Sequence, residues 1–231
     1  MNVLGIESST RTASCAVFGD SGLLGEFTIN TDVTQSEKLL PGIVHLMDSL
    51  KLSFNDLKAV AVSIGPGSFT ALRIGISTAK GIAFASGLPL IGIPTLQALA
   101  ERIWDFGLTI CPFLDARKKE VYFALYRRYE DGSLSQLKKE TVGSIEGMCS
   151  NIRERTIFLG NGIEVYGEIV KQILKEKAVF ISQSQRLPTA STVAEVGYRM
   201  VRKGNYSKDL SSVRPIYLRQ SDAEMSIKKS D

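Results

Sequence analysis

The feature that most restricts the fold is a short pattern that occurs twice, about a hundred residues apart. Residues 3–18 and residues 110–126 each contain an apolar strand, an acidic residue at its end, a polar turn and a returning strand. The acidic residues are Glu7 and Asp115. A supersecondary unit that occurs twice predicts two lobes built on one plan, each opened by a β-hairpin that carries a carboxylate.

The segments between and after these hairpins predict an α/β chain. The apolar periodicity predicts a third antiparallel strand at 23–29, helices at 36–50 and 95–106, and a buried strand at 57–64. At 192–195, Thr-Val-Ala-Glu predicts a capping box that starts the last helix. The predicted lobes are 1–106 and 107–191, with 192–231 packing back on the first lobe and a charged, frayed tail from residue 221.

Composition limits the class of protein. The 231 residues are 44% hydrophobic and 23% charged, which is ordinary for a globular chain with a core. The net charge of +4 is too small to predict nucleic-acid binding from charge alone. Three widely spaced cysteines fit no metal or redox motif and predict reduced thiols. Because the chain enters a strand without a basic segment or a long apolar run, we expect no signal peptide, no membrane span and a cytoplasmic location.

A glycine-rich turn joins the strand at 57–64 to a helix that runs to about residue 85. Its residues Gly65, Gly67 and Ser68 lie where free backbone N–H groups and the positive end of a helix suit an anion. No Gly-Lys-Ser/Thr follows the glycines, so the turn is not a P-loop. Two interpretations stand, an anion site and a tight turn before a buried helix.

Two helices have more apolar surface than one sheet covers. In the helix at 36–50, two adjacent apolar stripes together span roughly 160° of the circumference. The helix after the glycine turn is apolar nearly all round, and its small residues allow another backbone to approach. The sequence therefore predicts a homodimer through these two helices. The residues predicted at the contact are Leu40, Val44, Met47, Arg73, Ile76, Ala79, Lys80 and Ala83.

Four segments that together span nearly the whole chain resemble the bacterial TsaB (YeaZ) family. They are Gly5-Ile6-Glu7-Ser8-Ser9, Gly65-Pro66-Gly67-Ser68-Phe69-Thr70-x-Leu72-Arg73-x-Gly75, Asp115-Ala116-Arg117-x-x-Glu120-Val121-Tyr122 and Pro215-x-Tyr217-Leu218-Arg219. The chain departs from the usual pattern at Ala71, where glycine is common. The resemblance implies an α/β, two-lobed fold of the actin, sugar-kinase and heat-shock-chaperone type (ASKHA, ribonuclease-H-like).

The resemblance also implies a function in tRNA modification. Members of the family act with the paralogue TsaD and the small ATPase TsaE to make N6-threonylcarbamoyladenosine at position 37 of tRNAs that read ANN codons, and TsaD carries the chemistry and the metal. This chain is then expected to be a non-catalytic scaffold that meets TsaD, TsaE and tRNA in one complex. Since a paralogue presents equivalent helices, TsaD is expected at the homodimer surface. Ala79→Arg is expected to abolish both contacts and leave the fold intact.

The resemblance also bears on whether this chain binds a metal. In TsaD-type proteins two histidines four residues apart bind the metal, and their positions correspond here to Thr95 and Leu99. Neither side chain coordinates as imidazole does, and His45 is the only histidine in the chain. We therefore expect no metal site and no peptidase activity, although the family has been described as glycoprotease-like.

The nucleotide site of this fold leaves two interpretations. Glu7 and Asp115 lie where enzymes of the fold hold the metal–nucleotide, or they close tight turns by accepting backbone N–H bonds. We expect a degenerate site with no tightly bound cofactor and at most weak binding of ATP or ADP. The alternative function is an ATP-using enzyme of this fold with its own small-molecule substrate. The residues assigned to the degenerate site are Glu7, Ser8, Ser9, Gly65, Gly67, Ser68 and Asp115.

Overall fold

The computed structural model describes residues 1–30 and 35–219, which form two five-stranded sheets with helices against them. The strands of the first sheet are β1 (Asn2–Glu7), β2 (Thr12–Gly19), β3 (Gly22–Asn30), β4 (Leu57–Ser63) and β5 (Leu90–Ile93). Those of the second are β6 (Thr109–Arg117), β7 (Glu120–Arg128), β8 (Leu134–Ser144), β9 (Thr156–Leu159) and β10 (Ala178–Phe180). The helices are α1 (Gln35–Ser49), α2 (Phe69–Ala85), α3 (Thr95–Glu101), α4 (Ile145–Cys149), α5 (Gly162–Leu174) and α6 (Ala190–Arg202).

The two sheets have the same strand order. The first runs β3-β2-β1-β4-β5, and the second runs β8-β7-β6-β9-β10. In each, three antiparallel strands form a meander, and two further strands add in parallel to the first strand of that meander. The repeat predicted from the two hairpins and the two-lobed α/β fold are therefore confirmed.

Helices cover both faces of the first sheet. Leu4 and Ile6 of β1 lie in one core cluster with the inward residues of α1 and α2. Val3, on the opposite face of the same strand, packs with residues of α6. This second contact is very close, because a Cβ on Gly5 would lie 2.4 Å from the carbonyl oxygen of Ala190. Residues 190–202 thus pack on the first sheet, although they follow the second in sequence.

The start of α6 differs from the predicted capping box. The helix begins at Ala190, two residues before Thr192, and the side chain of its N-cap residue, Thr189, accepts no hydrogen bond from a backbone N–H of the first turn. Distant residues satisfy the first N–H groups instead: Ala190 N donates to Ser14 Oγ (2.9 Å), and Ser191 N donates to Glu26 Oε1 (3.1 Å). The capping box was wrong because tertiary partners on β2 and β3 cap this helix.

Helix α3 is shorter than predicted. The expected span was 95–106, but the helix ends at Glu101. The backbone carbonyls of Glu101 and Ile103 accept hydrogen bonds from Arg128 of β7, at 3.0 and 2.7 Å. The backbone of Phe106 then forms an isolated parallel β-bridge with that of Arg128. The side chain of Arg128 thus donates hydrogen bonds to backbone carbonyls at and just after the end of α3, where the chain crosses to the second sheet.

Three further expectations concern the rest of the chain. Cys15, Cys111 and Cys149 are buried free thiols. Among residues 1–30 and 35–219, no helix combines the length and apolar character needed to cross a membrane. The tail predicted to fray from residue 221 lies outside the described residues.

Candidate functional site

Glu7, at the end of β1, is enclosed by its own turn. Its side chain has no exposed surface. One carboxylate oxygen, Oε1, accepts hydrogen bonds from the backbone N and the Oγ of Ser9, both at 2.5 Å. The other oxygen, Oε2, is buried and has no hydrogen-bond partner in the described part of the chain. Burial raises the pKa of Glu7, and the hydrogen bonds from Ser9 oppose this effect only in part.

The raised pKa of Glu7 predicts how Glu7→Gln changes stability with pH. A carboxyl whose folded-state pKa lies above its ordinary 4.5 stabilises the fold below that value and loses this contribution as pH rises through the folded-state pKa. Glutamine has no such dependence and keeps the acceptor that Ser9 uses. We expect the Tm of the variant relative to that of the unsubstituted chain to rise as the pH increases from about 5 to about 8. Thermal melts of both proteins across this range measure it, and a pH-independent difference would contradict the burial of an ionisable carboxyl.

The glycine turn before α2 packs directly on the turn that holds Glu7. Ser68 N donates to the carbonyl oxygen of Ser9 at 2.8 Å. A Cβ on Gly67 would lie 2.3 Å from the same oxygen, so only glycine allows this approach. Ser8 Oγ donates to the carbonyl of Ala71 in α2 at 2.9 Å. The structure therefore brings together Glu7, Ser8, Ser9, Gly67 and Ser68, with Ser9 bonded both to Glu7 and to Ser68.

Asp115 lies on the second sheet and closes its own hairpin. Its Oδ1 accepts from Arg117 N at 2.8 Å and from Tyr166 Oη at 3.3 Å. Its backbone N donates to Asn161 Oδ1 at 3.1 Å. The turn around Asn161 is packed against β6 as well, since a Cβ on Gly160 would lie 2.0 Å from the carbonyl oxygen of Phe113. These contacts favour the turn-closing role of Asp115 over a ligand role.

The C-terminal segment, which was predicted to pack back on the first lobe, joins the two hairpin regions. Ile216 N donates to the carbonyl of Ile64 at 2.7 Å, beside Gly65. A Cβ on Gly65 would lie 2.9 Å from Ile216 O, and the φ of this glycine is +105°. Three residues further on, Arg219 Nη1 donates to the carbonyl of Ala116 at 3.2 Å. The segment at 216–219 thus runs from the glycine turn to the β6–β7 hairpin.

Arg73 of α2 belongs to the same region. Its guanidinium carbon lies 3.8 Å from the centroid of the Phe69 ring, and its Nε donates to Tyr217 Oη at 3.0 Å. The rings of Phe69 and Tyr217 also contact each other, at 4.9 Å between centroids. Arg73 therefore holds the C-terminal segment on α2. The motif at 215–219 was visible in the sequence, but it contained no signal of this contact.

The outward face of α1 and α2 differs from the predicted contact surface. Leu40 and Val44 are exposed as predicted, at 48% and 43%. Arg73 is also exposed, and Lys80 is half-buried. Phe84, which the prediction omitted, is exposed at 81%. The placement of four residues at an outward surface was wrong, because they lie in the core between these helices and the first sheet; they are Met47, Ile76, Ala79 and Ala83.

The small residues of α2 explain this error. A Cβ on Gly75 would lie 2.1 Å from Ser8 Oγ, so the glycine lets α2 approach the turn after β1. Ala79 and Ala83, one and two turns later, have no exposed surface. The row of small residues therefore serves a close contact inside the chain and is not available to a partner. For the same reason, we now expect Ala79→Arg to disrupt the fold, contrary to the expectation from the sequence.

The two positions that correspond to the metal-binding histidines are buried. Thr95 and Leu99 have no exposed surface, and Leu99 packs in the core between α3 and the second sheet. Within residues 1–30 and 35–219, no three His, Cys, Asp or Glu side chains are grouped as a metal site requires. A hydroxyl and an isobutyl group do not fit the transition-metal site of the TsaD type.

Comparison with known proteins agrees with these observations. The chain matches the family model TsaD, described as "tRNA N6-adenosine threonylcarbamoyltransferase", over residues 30–227. The chain belongs to this family. Among relatives of the TsaD family, the "tRNA threonylcarbamoyladenosine biosynthesis protein TsaB" of Bacillus subtilis is 27% identical over 97% of this chain and 96% of its own. The protein of the same name from Escherichia coli is 28% identical over 96% of each chain. The resemblance to TsaB (YeaZ) proteins is thus confirmed.

Solved structures support the fold. YeaZ from Pseudomonas aeruginosa has a TM-score of 0.78 at 24% identity and covers 94% of this chain and 99% of its own. Component A of (R)-2-hydroxyglutaryl-CoA dehydratase from Acidaminococcus fermentans has a TM-score of 0.53 at 11% identity, over 87% and 99%. At these identities the likeness concerns the fold alone.

Proposed function

We propose that the chain acts in the biosynthesis of N6-threonylcarbamoyladenosine in tRNA, as a non-catalytic subunit that binds TsaD. The names of the full-length relatives in B. subtilis and E. coli support the process. In this proposal TsaE and tRNA join the same complex, the tRNAs are those that read ANN codons, and the chain is cytoplasmic.

The observation that carries the scaffold role is the outward face of α1 and α2. Leu40 and Val44 lie one turn apart on α1, and Phe84 of α2 is the most exposed of the large hydrophobic side chains described. Both helices pack on the same face of the first sheet, so their outward sides form one surface. Exposed apolar residues grouped in this way are typical of a protein contact. We assign this surface, with Arg73 and Lys80 at its polar edge, to TsaD and to self-association when TsaD is absent.

The contacts of the carboxylates support a non-catalytic role. Enzymes of this fold need carboxylate oxygens that are free to face a metal–nucleotide, whereas Glu7 is fully buried and bonded to Ser9. Asp115 is held by Arg117 N and Tyr166 Oη. We propose that ATP and ADP bind weakly at most and that the isolated chain does not hydrolyse ATP. Turnover of ATP by the purified chain, abolished by Asp115→Asn, would favour the alternative of an enzyme with its own substrate.

The variant Leu40→Glu/Phe84→Glu tests the assigned surface. Two carboxylates in an apolar contact would be desolvated without partners, so the Kd for TsaD should rise at least about a hundredfold. The same variant should lose homodimerisation by light scattering and tRNA modification in a mixture of TsaD, TsaE, ATP and tRNA. Titration calorimetry with purified TsaD measures the binding directly.

Leu137→Glu is the matched control, because Leu137 lies on β8 of the second sheet and is exposed at 48%, as Leu40 is. It should bind TsaD as the unsubstituted chain does. An equal Kd for TsaD in the unsubstituted chain, Leu40→Glu/Phe84→Glu and Leu137→Glu would exclude the outward face of α1 and α2 as the TsaD site. Loss of binding in both variants would mean that added negative charge, and not the position, is responsible.

A further inference from the structure

Helix α5 of the second lobe has an apolar stripe on its outer side. Val165, Ile169 and Ile173 are exposed at 57%, 42% and 45%. They are spaced four residues apart and therefore follow one side of the helix. The opposite side is buried in the second lobe, through residues that include Tyr166 and Val170. The helix is thus apolar on two sides, which a surface helix without a partner does not need.

Four exposed charges lie along one edge of this stripe. Glu164 and Glu168 are in the N-terminal half, and Lys171 and Lys175 are at the C-terminal end. At about 100° per residue, Glu164, Glu168 and Lys171 fall on the same flank of the helix, and Lys175 is the C-cap residue that directly follows its last turn. Glu164 and Glu168 are four apart and repel each other within the helix, whereas Glu168 and Lys171 are three apart and attract. Acidic residues near the N-terminus and basic residues near the C-terminus suit the dipole of the helix. The dipole does not explain why three apolar side chains are exposed next to these charges.

We propose that α5 binds the α5 of a second copy of this chain in antiparallel orientation, about a two-fold axis at Ile169. In this register Ile169 meets Ile169 of the second copy, and Val165 meets its Ile173. On the flank, Glu168 faces Lys171 of the second copy. Glu164 faces its Lys175 in the same way. In a parallel two-fold pair the two charged flanks would lie on opposite edges of the contact and would not meet, so only the antiparallel register brings these charges into pairs of opposite sign.

The mixed charge of α5 argues against other occupants. An anionic membrane surface attracts helices whose polar side is basic, and this flank carries two glutamates. A self-complementary pattern is the signature of an isologous contact. Because one pair of short helices buries less area than a standard interface, we expect a weak dimer with a Kd on the order of tens of micromolar. The contact is on the second lobe, so it leaves the outward face of α1 and α2 free.

A charge-exchange experiment tests this pairing. One variant, Glu164→Lys/Glu168→Lys, has an all-basic flank, and the other, Lys171→Glu/Lys175→Glu, has an all-acidic flank. Both are made in the full-length Leu40→Glu/Phe84→Glu chain, so that self-association through α1 and α2 does not contribute. Sedimentation velocity at about 100 µM should show a dimer for the parent chain and monomers for each variant alone. An equimolar mixture should restore the dimer, because the two flanks are then of opposite sign.

Restoration on mixing also shows that both variants are folded. Ile169→Glu in the same parent should be monomeric, and its circular dichroism should be unchanged, because this side chain already faces solvent. The proposal is overturned if the parent chain is monomeric at that concentration, if either charge variant still dimerises, or if the mixture stays monomeric. Since the parent lacks the α1–α2 surface, failure here is independent of the TsaD site proposed above.

Discussion

Ala79→Arg should strongly destabilise the fold. Ala79 has no exposed surface and belongs to the core between α2 and the first sheet. An arginine there adds several methylenes to a packed core and buries a charge among the apolar side chains of this cluster. We expect the free energy of unfolding to fall by more than about 4 kcal/mol. That is a large part of the roughly 5–15 kcal/mol of a typical domain. Urea denaturation followed by circular dichroism measures the change.

Ser77→Arg is the matched control for this prediction. Ser77 lies two residues earlier on the same helix and is exposed. The same side chain there should change the free energy of unfolding by less than about 0.5 kcal/mol. If Ala79→Arg unfolds at the same urea concentration as Ser77→Arg, then the inward orientation of Ala79 is wrong. The original idea of a partner at the small-residue row would then regain support.

The two hairpins and their repetition were predictable because they depend on local patterns. Each hairpin has alternating or continuous apolar runs and a polar turn, and the two copies imply two lobes built on one plan. The acidic residues Glu7 and Asp115 were also located correctly at their turns. Their environments were not predictable. The turn that holds Glu7 is packed, through Ser9, against Gly67 and Ser68, about sixty residues away in the sequence.

The orientation of α2 was not predictable for a related reason. A helix that is apolar nearly all round gives no angular signal of which side faces the sheet. Small residues favour any close contact, and in this chain the contact is with Ser8 of the same lobe. The true outward position, Phe84, was hidden among the other apolar residues of the helix.

The junction between the lobes depends on residues that the sequence analysis did not select. Arg128 of β7 is fully buried. Its Nη2 donates to Glu101 Oε2 at 2.9 Å, and its guanidinium lies 4.4 Å from the ring centroid of Trp104. Glu101 Oε2 also pairs with Arg199 of α6 at 2.9 Å. One carboxylate therefore connects α3, the second sheet and α6.

Glu101→Ala should destabilise the chain by about 3–5 kcal/mol, because it leaves the fully buried guanidinium of Arg128 without its counter-charge. The remaining partners of Arg128, the carbonyls of Ile103 and Gly132 among them, satisfy hydrogen bonds and do not neutralise the charge. Glu101→Gln keeps an acceptor at the same position, so its free energy of unfolding should fall by less than that of Glu101→Ala. The fall that remains in Glu101→Gln measures the effect of removing the charge alone. Urea denaturation of the three proteins gives the two differences.

The neighbouring residue of β7 provides the matched control. Arg127 pairs with Glu154, whose side chain is 51% exposed, compared with 9% for Glu101. Water replaces the lost partner at an exposed pair, so Glu154→Ala should cost less than about 1 kcal/mol. Both variants remove one carboxylate from an arginine of the same strand, and they differ mainly in burial, although Glu101→Ala also removes the partner of Arg199, whose side chain is 37% exposed. Equal losses for Glu101→Ala and Glu154→Ala would mean that water reaches Arg128, and that the contact between α3 and the second sheet is looser than its burial indicates.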